Sequence, residues 1–205
     1  MKSSFEILCG RLGVRYLPSI DSVLIRFYNS NARHYHGMRH ILDCLSTFRH
    51  CGNISVCYEE LEFAIWFHDL IYVPGRSDNE LNSATIAKAM ADCLGLPQCF
   101  GHRVERLIIC TEYHIPDLTF PDTALMIDID NNILGESKQE YDKYAEGIRK
   151  EFEPVVGHEA FIVGRKEWLT SKLKCDTIFH NSVQHLFNEQ QARENMQREL
   201  DSLTL

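Results

Sequence analysis

The sequence predicts an all-α fold, organised as a single-domain helical bundle. Apolar residues recur at helical spacing almost throughout the 205 residues, and no alternating pattern of useful length indicates a strand. No repeat or low-complexity linker divides the chain, and 44% hydrophobic residues are enough for a sizeable core. We therefore expect one domain over residues 1–205.

Ten helices are predicted, and capping residues or prolines set several of their ends. Ser3 or Ser4 caps the first helix, Pro18 opens the second, and Gly95 closes the fifth. The third to tenth helices are predicted at about residues 35–48, 58–72, 79–95, 97–113, 121–134, 138–152, 157–173 and 182–203. The acidic stretch 136–153 mixes both signs of charge, which indicates a solvated helix face.

Composition and charge disfavour several classes of partner. The formal charge of −8 argues against nonspecific binding to nucleic acid or to an acidic membrane, because both require excess Lys and Arg. The first residues carry a charge inside a short apolar patch, unlike a secretory signal, and no apolar run is long enough to span a bilayer. We expect a cytoplasmic protein whose eight cysteines are free thiols.

One apolar stretch, residues 63–72, contains two ionisable neighbours, His68 and Asp69. An unpaired buried carboxylate costs several kcal/mol, so such a group is normally paired or bound to a metal. The stretch therefore predicts a core helix whose His–Asp pair holds a metal ion.

Other residues of metal-ligating type flank this pair. His36 and His40 are four residues apart, which predicts that they lie one above the other on a helix face. Glu80 is either a first-turn acidic residue favoured by the helix dipole or a residue of the site. His114 either stabilises a helix end as a cation or approaches the metal.

Two aspartates, Asp128 and Asp130, lie in a strongly apolar predicted helix. Because they are two residues apart, they point about 200° away from each other and cannot both face one site. Asp130 shares its face with core positions such as Ile133, whereas Asp128 lies nearer Asn131. Asp130 is therefore the expected buried ligand.

The ordered set His40, His68, Asp69 and Asp130 supplies two imidazoles and two carboxylates. These donors suit a divalent metal ion (Zn, Mn, Fe or Mg) with open positions for water or substrate. A lone His–Asp dipeptide occurs often by chance, but the ordered set on three apolar helices indicates a metal site much more strongly.

In this order the four residues resemble the HD superfamily of metal-dependent phosphohydrolases, and in particular a bacterial subfamily of predicted HD phosphohydrolases. The resemblance covers about residues 15–203 and implies an HD-type bundle that hydrolyses a small phosphate ester, with nucleotides among the candidate substrates. It is carried by RHYHGMRHI at 33–41, WFHDLIY at 66–72, NELNSA at 79–84, DIDNNILG at 128–135, and shorter segments at 148–152, 164–165 and 192–195.

The resemblance implies roles for single residues. It assigns His40, His68, Asp69 and Asp130 to the metal. The Tyr-His-x-x-x-His pattern at 35–40 is also similar to that of cyclic-nucleotide phosphodiesterases, where the first histidine protonates the leaving group. That similarity implies a catalytic role for His36.

The implied mechanism needs further groups. Asp69 would also orient a water molecule whose pKa the ion lowers, and His114 is a further catalytic candidate. The transferring phosphoryl group must be neutralised by cations. Arg33 is the first candidate for that contact and Arg165 the second, and Glu80 is expected beside the substrate.

Two other functions stay open at this level. Some HD proteins hold two irons and use oxygen, which would require additional ligands from Glu80 or His114. A nucleotide-binding regulatory module without turnover is the other alternative.

Overall fold

The computed structural model describes residues 3–180 and 186–204, and within them every regular element is a helix. The predicted all-α fold is confirmed. The helices are α1 (Ser4–Arg11), α2 (Pro18–Tyr28), α3 (Met38–Cys51), α4 (Tyr58–Phe67), α5 (Asn79–Cys93), α6 (Gln98–Tyr113), α7 (Asp122–Asp130), α8 (Lys138–Val156), α9 (His158–Leu173) and α10 (Glu189–Ser202). Short 3₁₀ turns follow α3 at Gly52–Ile54 and α7 at Asn131–Gly135.

Helix α4 lies at the centre and packs against α1, α3, α5, α6 and α7. Residues 60–67 are all buried, as expected for a helix that is apolar on every side. Its two buried carboxylates are neutralised, because Glu60 pairs with Arg103 and Glu62 pairs with Arg11. The central position of α4 places the His–Asp doublet, which follows it directly, deep in the molecule.

A second group of helices covers the carboxyl end of α7. Helices α8 and α9 pack against each other, and α10 packs against α9 and the 3₁₀ turn after α7. The Asn195 side chain fixes this arrangement by donating to the carbonyls of Leu134, at 3.0 Å, and Glu136, at 2.8 Å. Helices α8 and α9 therefore face the end of α7 where Asp130 lies.

Several predicted helices have different ends in the structure, and α8 extends to Val156 rather than to residue 152. Helix α3 begins at Met38 rather than at residue 35, and α4 ends at Phe67 rather than at 72. Helix α7 ends at Asp130 and continues only as a 3₁₀ turn. The predicted start of the last helix, at Ser182, lies outside the described residues, and α10 begins at Glu189.

Side-chain contacts to its last carbonyls explain the early end of α4. The carbonyl of Trp66 accepts a hydrogen bond from the Tyr28 hydroxyl at 2.9 Å, and that of Ile65 is 3.0 Å from Nδ1 of His68. The last carbonyls of a helix need partners, and side chains that supply them let the chain turn away. The apolar run continues past Phe67, so periodicity alone could not show where α4 ends.

The prediction that the acidic stretch 136–153 is a solvated face is wrong for Glu151. This residue is 3% exposed, on a buried face of α8 that also contains Tyr144, Gly147 and Ile148. Its carboxylate accepts hydrogen bonds from backbone N–H groups inside the protein.

All eight cysteines are free, as predicted. Among the helices that the structure describes, none combines the length and the apolar character needed to cross a membrane.

Substitution of Gly147 tests the close approach of α8 to the segment before α3. A Cβ at Gly147 would stand 3.0 Å from Cβ of Tyr35 and 3.1 Å from the carbonyl oxygen of His34. We expect Gly147→Ala to lower the free energy of unfolding by about 1 kcal/mol, since this crowding outweighs the gain in helix propensity.

The matched control is Gly164→Ala on α9, where an added Cβ meets no atom within 4 Å. It should raise the free energy of unfolding by up to about 1 kcal/mol. Urea titration measures both variants, and equal stabilisation by the two substitutions would contradict the packing described here.

Candidate metal centre

Four polar side chains converge where three helices begin or end. His40 lies in the first turn of α3, His68 and Asp69 directly follow α4, and Asp130 is the last residue of α7. Nε2 of His40 is 3.1 Å from Nε2 of His68 and 3.1 Å from Oδ1 of Asp130. Nε2 of His68 is 3.4 Å from that same oxygen. The structure therefore brings together the predicted ligands from three separate parts of the chain.

His40, His68 and Asp130 form a group whose ligand atoms all lie within 4.8 Å of one another. Asp69 lies outside that group of three but adjoins it, since its Oδ2 is 3.3 Å from Nε2 of His68 and 3.5 Å from Nε2 of His40. Nitrogen and oxygen ligands of one ion at about 2.0–2.1 Å stand about 3.0–3.4 Å apart. The observed separations are close to that range.

Two further observations fit a cation at this point. Oδ2 of Asp69 is buried and accepts no hydrogen bond from the described residues. Nδ1 of His68 is 3.0 Å from the Ile65 carbonyl, so this nitrogen carries the proton and Nε2 is left to act as a ligand. A buried oxygen without a donor and an imidazole oriented by a carbonyl are both expected around a metal. The cluster could hold a metal ion.

The charges of the cluster depend on one another. Burial by itself disfavours the ionised form of each group, yet the Asp69 and Asp130 carboxylates raise the pKa of His68 well above its ordinary value. Against the same burial, His68 lowers the pKa of Asp69, and His114 and the other imidazoles hold the pKa of Asp130 well below its usual range. Both carboxylates are therefore ionised at neutral pH, and a bound cation would take the place of the proton that they favour on Nε2 of His68.

His36 lies in the turn before α3, because Gly37 at the N-cap is extended, with φ −108° and ψ −170°. The prediction that His36 and His40 stack on one helix face is therefore wrong. Nδ1 of His36 is 2.6 Å from Oε2 of Glu151, and its ring stacks on Tyr72 with centroids 3.9 Å apart. With Nδ1 held in this way, Nε2 is the nitrogen left for a ligand.

Glu151 is the positioning residue that the sequence interpretation missed. Its Oε1 accepts hydrogen bonds from the backbone N–H groups of His34, Tyr35 and His36 at 2.7, 2.7 and 3.0 Å. Burial opposes its ionisation, but the hydrogen bonds from His36 and from the backbone lower the pKa of Glu151. The only sequence signal was its place in the 148–152 segment, which carried no role.

Arg33 has a different role from the one predicted. Its Nη1 donates to the carbonyls of His36, at 2.9 Å, and Asp69, at 2.6 Å, and its Nη2 donates to the carbonyl of Leu70 at 2.8 Å. These contacts tie the turn before α3 to the turn after α4. The guanidinium is directed at backbone and does not line the cavity that opens onto the cluster, so substrate binding by Arg33 gains no support.

Helix α5 fixes the chain beyond the doublet. The Ser83 hydroxyl bonds both the N–H and the carbonyl of Ile71, at 3.0 and 3.2 Å. The Asn79 amide does the same for Val73, at 2.9 and 3.0 Å. The turn that contains the candidate ligands His68 and Asp69 is thus held from both sides, by Arg33 and by α5.

The prediction that Asp130 shares its helix face with core positions is wrong. Asp128 is fully buried and accepts the backbone N–H of His180 at 2.7 Å. Asp130 has a side chain 16% exposed and reaches the cluster because it ends the helix. The more exposed aspartate, and not the core-facing one, joins the histidines.

Of the other predicted site residues, His114 contacts Asp130, whereas Glu80 and Arg165 line a cavity that opens onto the cluster. Nε2 of His114 is 3.4 Å from Oδ2 of Asp130, on the side of that carboxylate away from the cluster. Burial and the nearby carboxylates raise the pKa of Glu80, which lines this cavity. Arg165 also lines the cavity, but it forms two hydrogen bonds with Glu199, at 2.7 and 2.9 Å.

A cavity of about 540 Å³ opens onto the cluster. One wall is polar and includes Asp69, Asp130 and His36, and the other is formed by apolar residues of α8 and α9. His40 and His68 lie behind the two carboxylates, 4% and 2% exposed. A ligand in this cavity would meet carboxylates and imidazoles at one end and apolar side chains at the other.

Comparison with protein-family models, with characterised proteins and with solved structures finds no match for this chain. The site's own residues therefore carry the functional assignment.

Glu151→Gln tests the role of this carboxylate in stability. We expect it to lower the free energy of unfolding at pH 7 by about 1–3 kcal/mol, because an amide presents N–H groups to donors that need an acceptor. The pKa of Glu151 is lowered in the folded state, so its contribution is present above its unfolded pKa and is lost as pH falls through the folded pKa.

Urea titrations at pH 7 and below pH ~4 measure this difference, which should shrink at the acidic pH. The control is Glu146→Gln on the same helix, since Glu146 pairs only weakly with exposed Lys150 at 3.4 Å. A pH-independent effect of Glu151→Gln would contradict the assignment.

Metal loading should stabilise the protein. We expect Zn²⁺ or Mn²⁺ at about 100 times its dissociation constant to raise the unfolding temperature of chelator-treated protein by about 5–10 °C. Asp69→Asn should reduce that rise, whereas Asp43→Asn, at an exposed carboxylate on α3 paired with Arg39, should leave it unchanged. Differential scanning calorimetry gives the comparison, and an equal rise in all three proteins would place the ion elsewhere.

Proposed function

We propose that this protein is a metal-dependent phosphohydrolase that cleaves a small phosphate ester. The observation that carries the proposal is the convergence of His40, His68, Asp69 and Asp130, with interatomic distances of 3.1–3.5 Å, at the polar end of a cavity. The order of these residues, which resembles that of HD phosphohydrolases, supports the same assignment.

The four residues would hold a divalent cation. When bound, such an ion neutralises phosphoryl oxygens and lowers the pKa of a water molecule from about 15.7 to about 7, which makes it a nucleophile at neutral pH. Oδ2 of Asp69 accepts no hydrogen bond from the described residues and is available to orient that water. Asp130 completes the negative charge that attracts the cation.

His36 is the proposed general acid. Its Nδ1 is fixed by Glu151 and its ring is held against Tyr72, so its Nε2 is available on the cavity wall. Water attacks phosphorus, the bond from phosphorus to the ester oxygen breaks, and His36 gives its proton to the departing oxygen. One water proton stays on the phosphate product and the other restores His36 through solvent, so the products are an alcohol and inorganic phosphate.

A second candidate function rests on His114. This residue has a left-handed backbone, with φ 54°, at the end of α6, and its imidazole contacts the outer oxygen of Asp130. A non-glycine residue in this region is uncommon and its strain is often functional. His114 and Asp130 would be the residues that hold a second metal ion, which an oxygen-using di-iron enzyme would require.

The proposed hydrolysis is tested by phosphate release from a panel of phosphomonoesters and phosphodiesters. We expect activity that is lost with chelator, restored by a divalent metal, and lowered more than about 100-fold by Asp69→Ala. Asp43→Ala is the matched control and should keep full activity. Metal-loaded protein that is inert towards the whole panel would refute the proposal, and two irons per chain with oxygen consumption would establish the alternative.

A further inference from the structure

The cavity offers little positive charge for a ligand. Among the described residues that line it, Arg165 is the sole arginine or lysine, and Glu199 binds it through Nε and Nη2 while the Tyr144 hydroxyl accepts from Nη1 at 3.2 Å. Four carboxylates line the same cavity: Asp69, Glu80, Glu112 and Asp130. A ligand with several phosphates would bring negative charge into a cavity that has many carboxylates and a single guanidinium, which is already neutralised by Glu199.

The end of the cavity away from the cluster is apolar. It is formed by the 3₁₀ turn after α7 and by facing side chains of α8 and α9. The residues concerned are Ile133, Leu134, Ile148, Phe152, Phe161 and Trp168. The Arg165 guanidinium lies over the Trp168 indole, with Cζ 4.5 Å from the ring centroid. Apolar area buried by a ligand here is a favourable contribution to binding.

We infer that the substrate is an ester with a single phosphate and an apolar organic group, rather than a polyphosphate or a nucleoside triphosphate. The phosphate would face the cluster, and the organic group would lie against Trp168. This inference rests on the proposed hydrolysis for its chemistry, but the shape and charge of the cavity alone determine the class of ligand.

Tryptophan fluorescence provides a binding assay that does not depend on turnover. The chain contains two tryptophans, of which Trp66 is in the core, 6% exposed, and Trp168 lines the cavity. We expect benzylphosphonate to bind zinc-loaded protein at least about tenfold more tightly than methylphosphonate. The fluorescence change should disappear in Trp168→Phe, while calorimetry on that variant should still detect binding.

Gly164→Leu tests the position of the organic group. Gly164 lines the cavity, and a Cβ added there meets no atom within 4 Å, so the variant can fill the apolar end without disturbing the fold. It should weaken benzylphosphonate binding by about tenfold or more and leave methylphosphonate binding unchanged. Gly10→Leu on α1, where an added Cβ is equally unhindered, is the control and should change neither affinity.

The outcomes separate the two proposals. Benzylphosphonate binding no tighter than methylphosphonate, or ATP and pyrophosphate hydrolysed faster than 1-naphthyl phosphate, would overturn the inferred ligand class. The predicted phosphonate preference without phosphate release from any ester would support the ligand class and refute the phosphohydrolase function.

Discussion

The Glu151 carboxylate accepts hydrogen bonds from three consecutive backbone N–H groups and contacts Nδ1 of His36, and the geometry of the site depends on these bonds. Ionised groups are costly to bury unless they are fully hydrogen-bonded, and four contacts provide that compensation. The bonds hold the chain in an open turn until Gly37, so that α3 begins at Met38 and His40 falls in its first turn. One buried anion thus positions both the proposed acid and a ligand.

Arg33 supplies the complementary constraint from the same turn. It donates to the carbonyls of His36, Asp69 and Leu70, whereas Glu151 accepts from N–H groups, so backbone groups in the turn before α3 and the turn after α4 are satisfied by one cation and one anion. Helix ends carry such unpaired groups by necessity. Side chains that leave helix ends can therefore converge on a point that is buried yet polar, which a site in the middle of apolar helices could not provide.

The cavity is polar at one end and apolar at the other, and this asymmetry would orient a ligand before any chemistry occurs. Carboxylates that attract a cation would repel a phosphate in its absence, so affinity for a phosphate ester and for the metal should be coupled. Glu199 neutralises Arg165, the sole arginine or lysine among the described residues that line the cavity, and this disfavours the binding of longer phosphate chains. Selectivity against longer phosphate chains would then come from the shortage of free positive charge in the cavity as much as from its apolar wall.

The sequence by itself determined the all-α class, the buried central helix and the order of the four candidate ligands, because helical periodicity and an ionisable pair in an apolar run are local features. Only the tertiary structure decided where α3, α4 and α7 begin or end, and therefore how Asp130, the last residue of α7, reaches the histidines. It also gave Arg33 and Glu151 their roles. The contacts of Glu151 join residues 115–117 positions apart, and no local pattern records a partner at that distance.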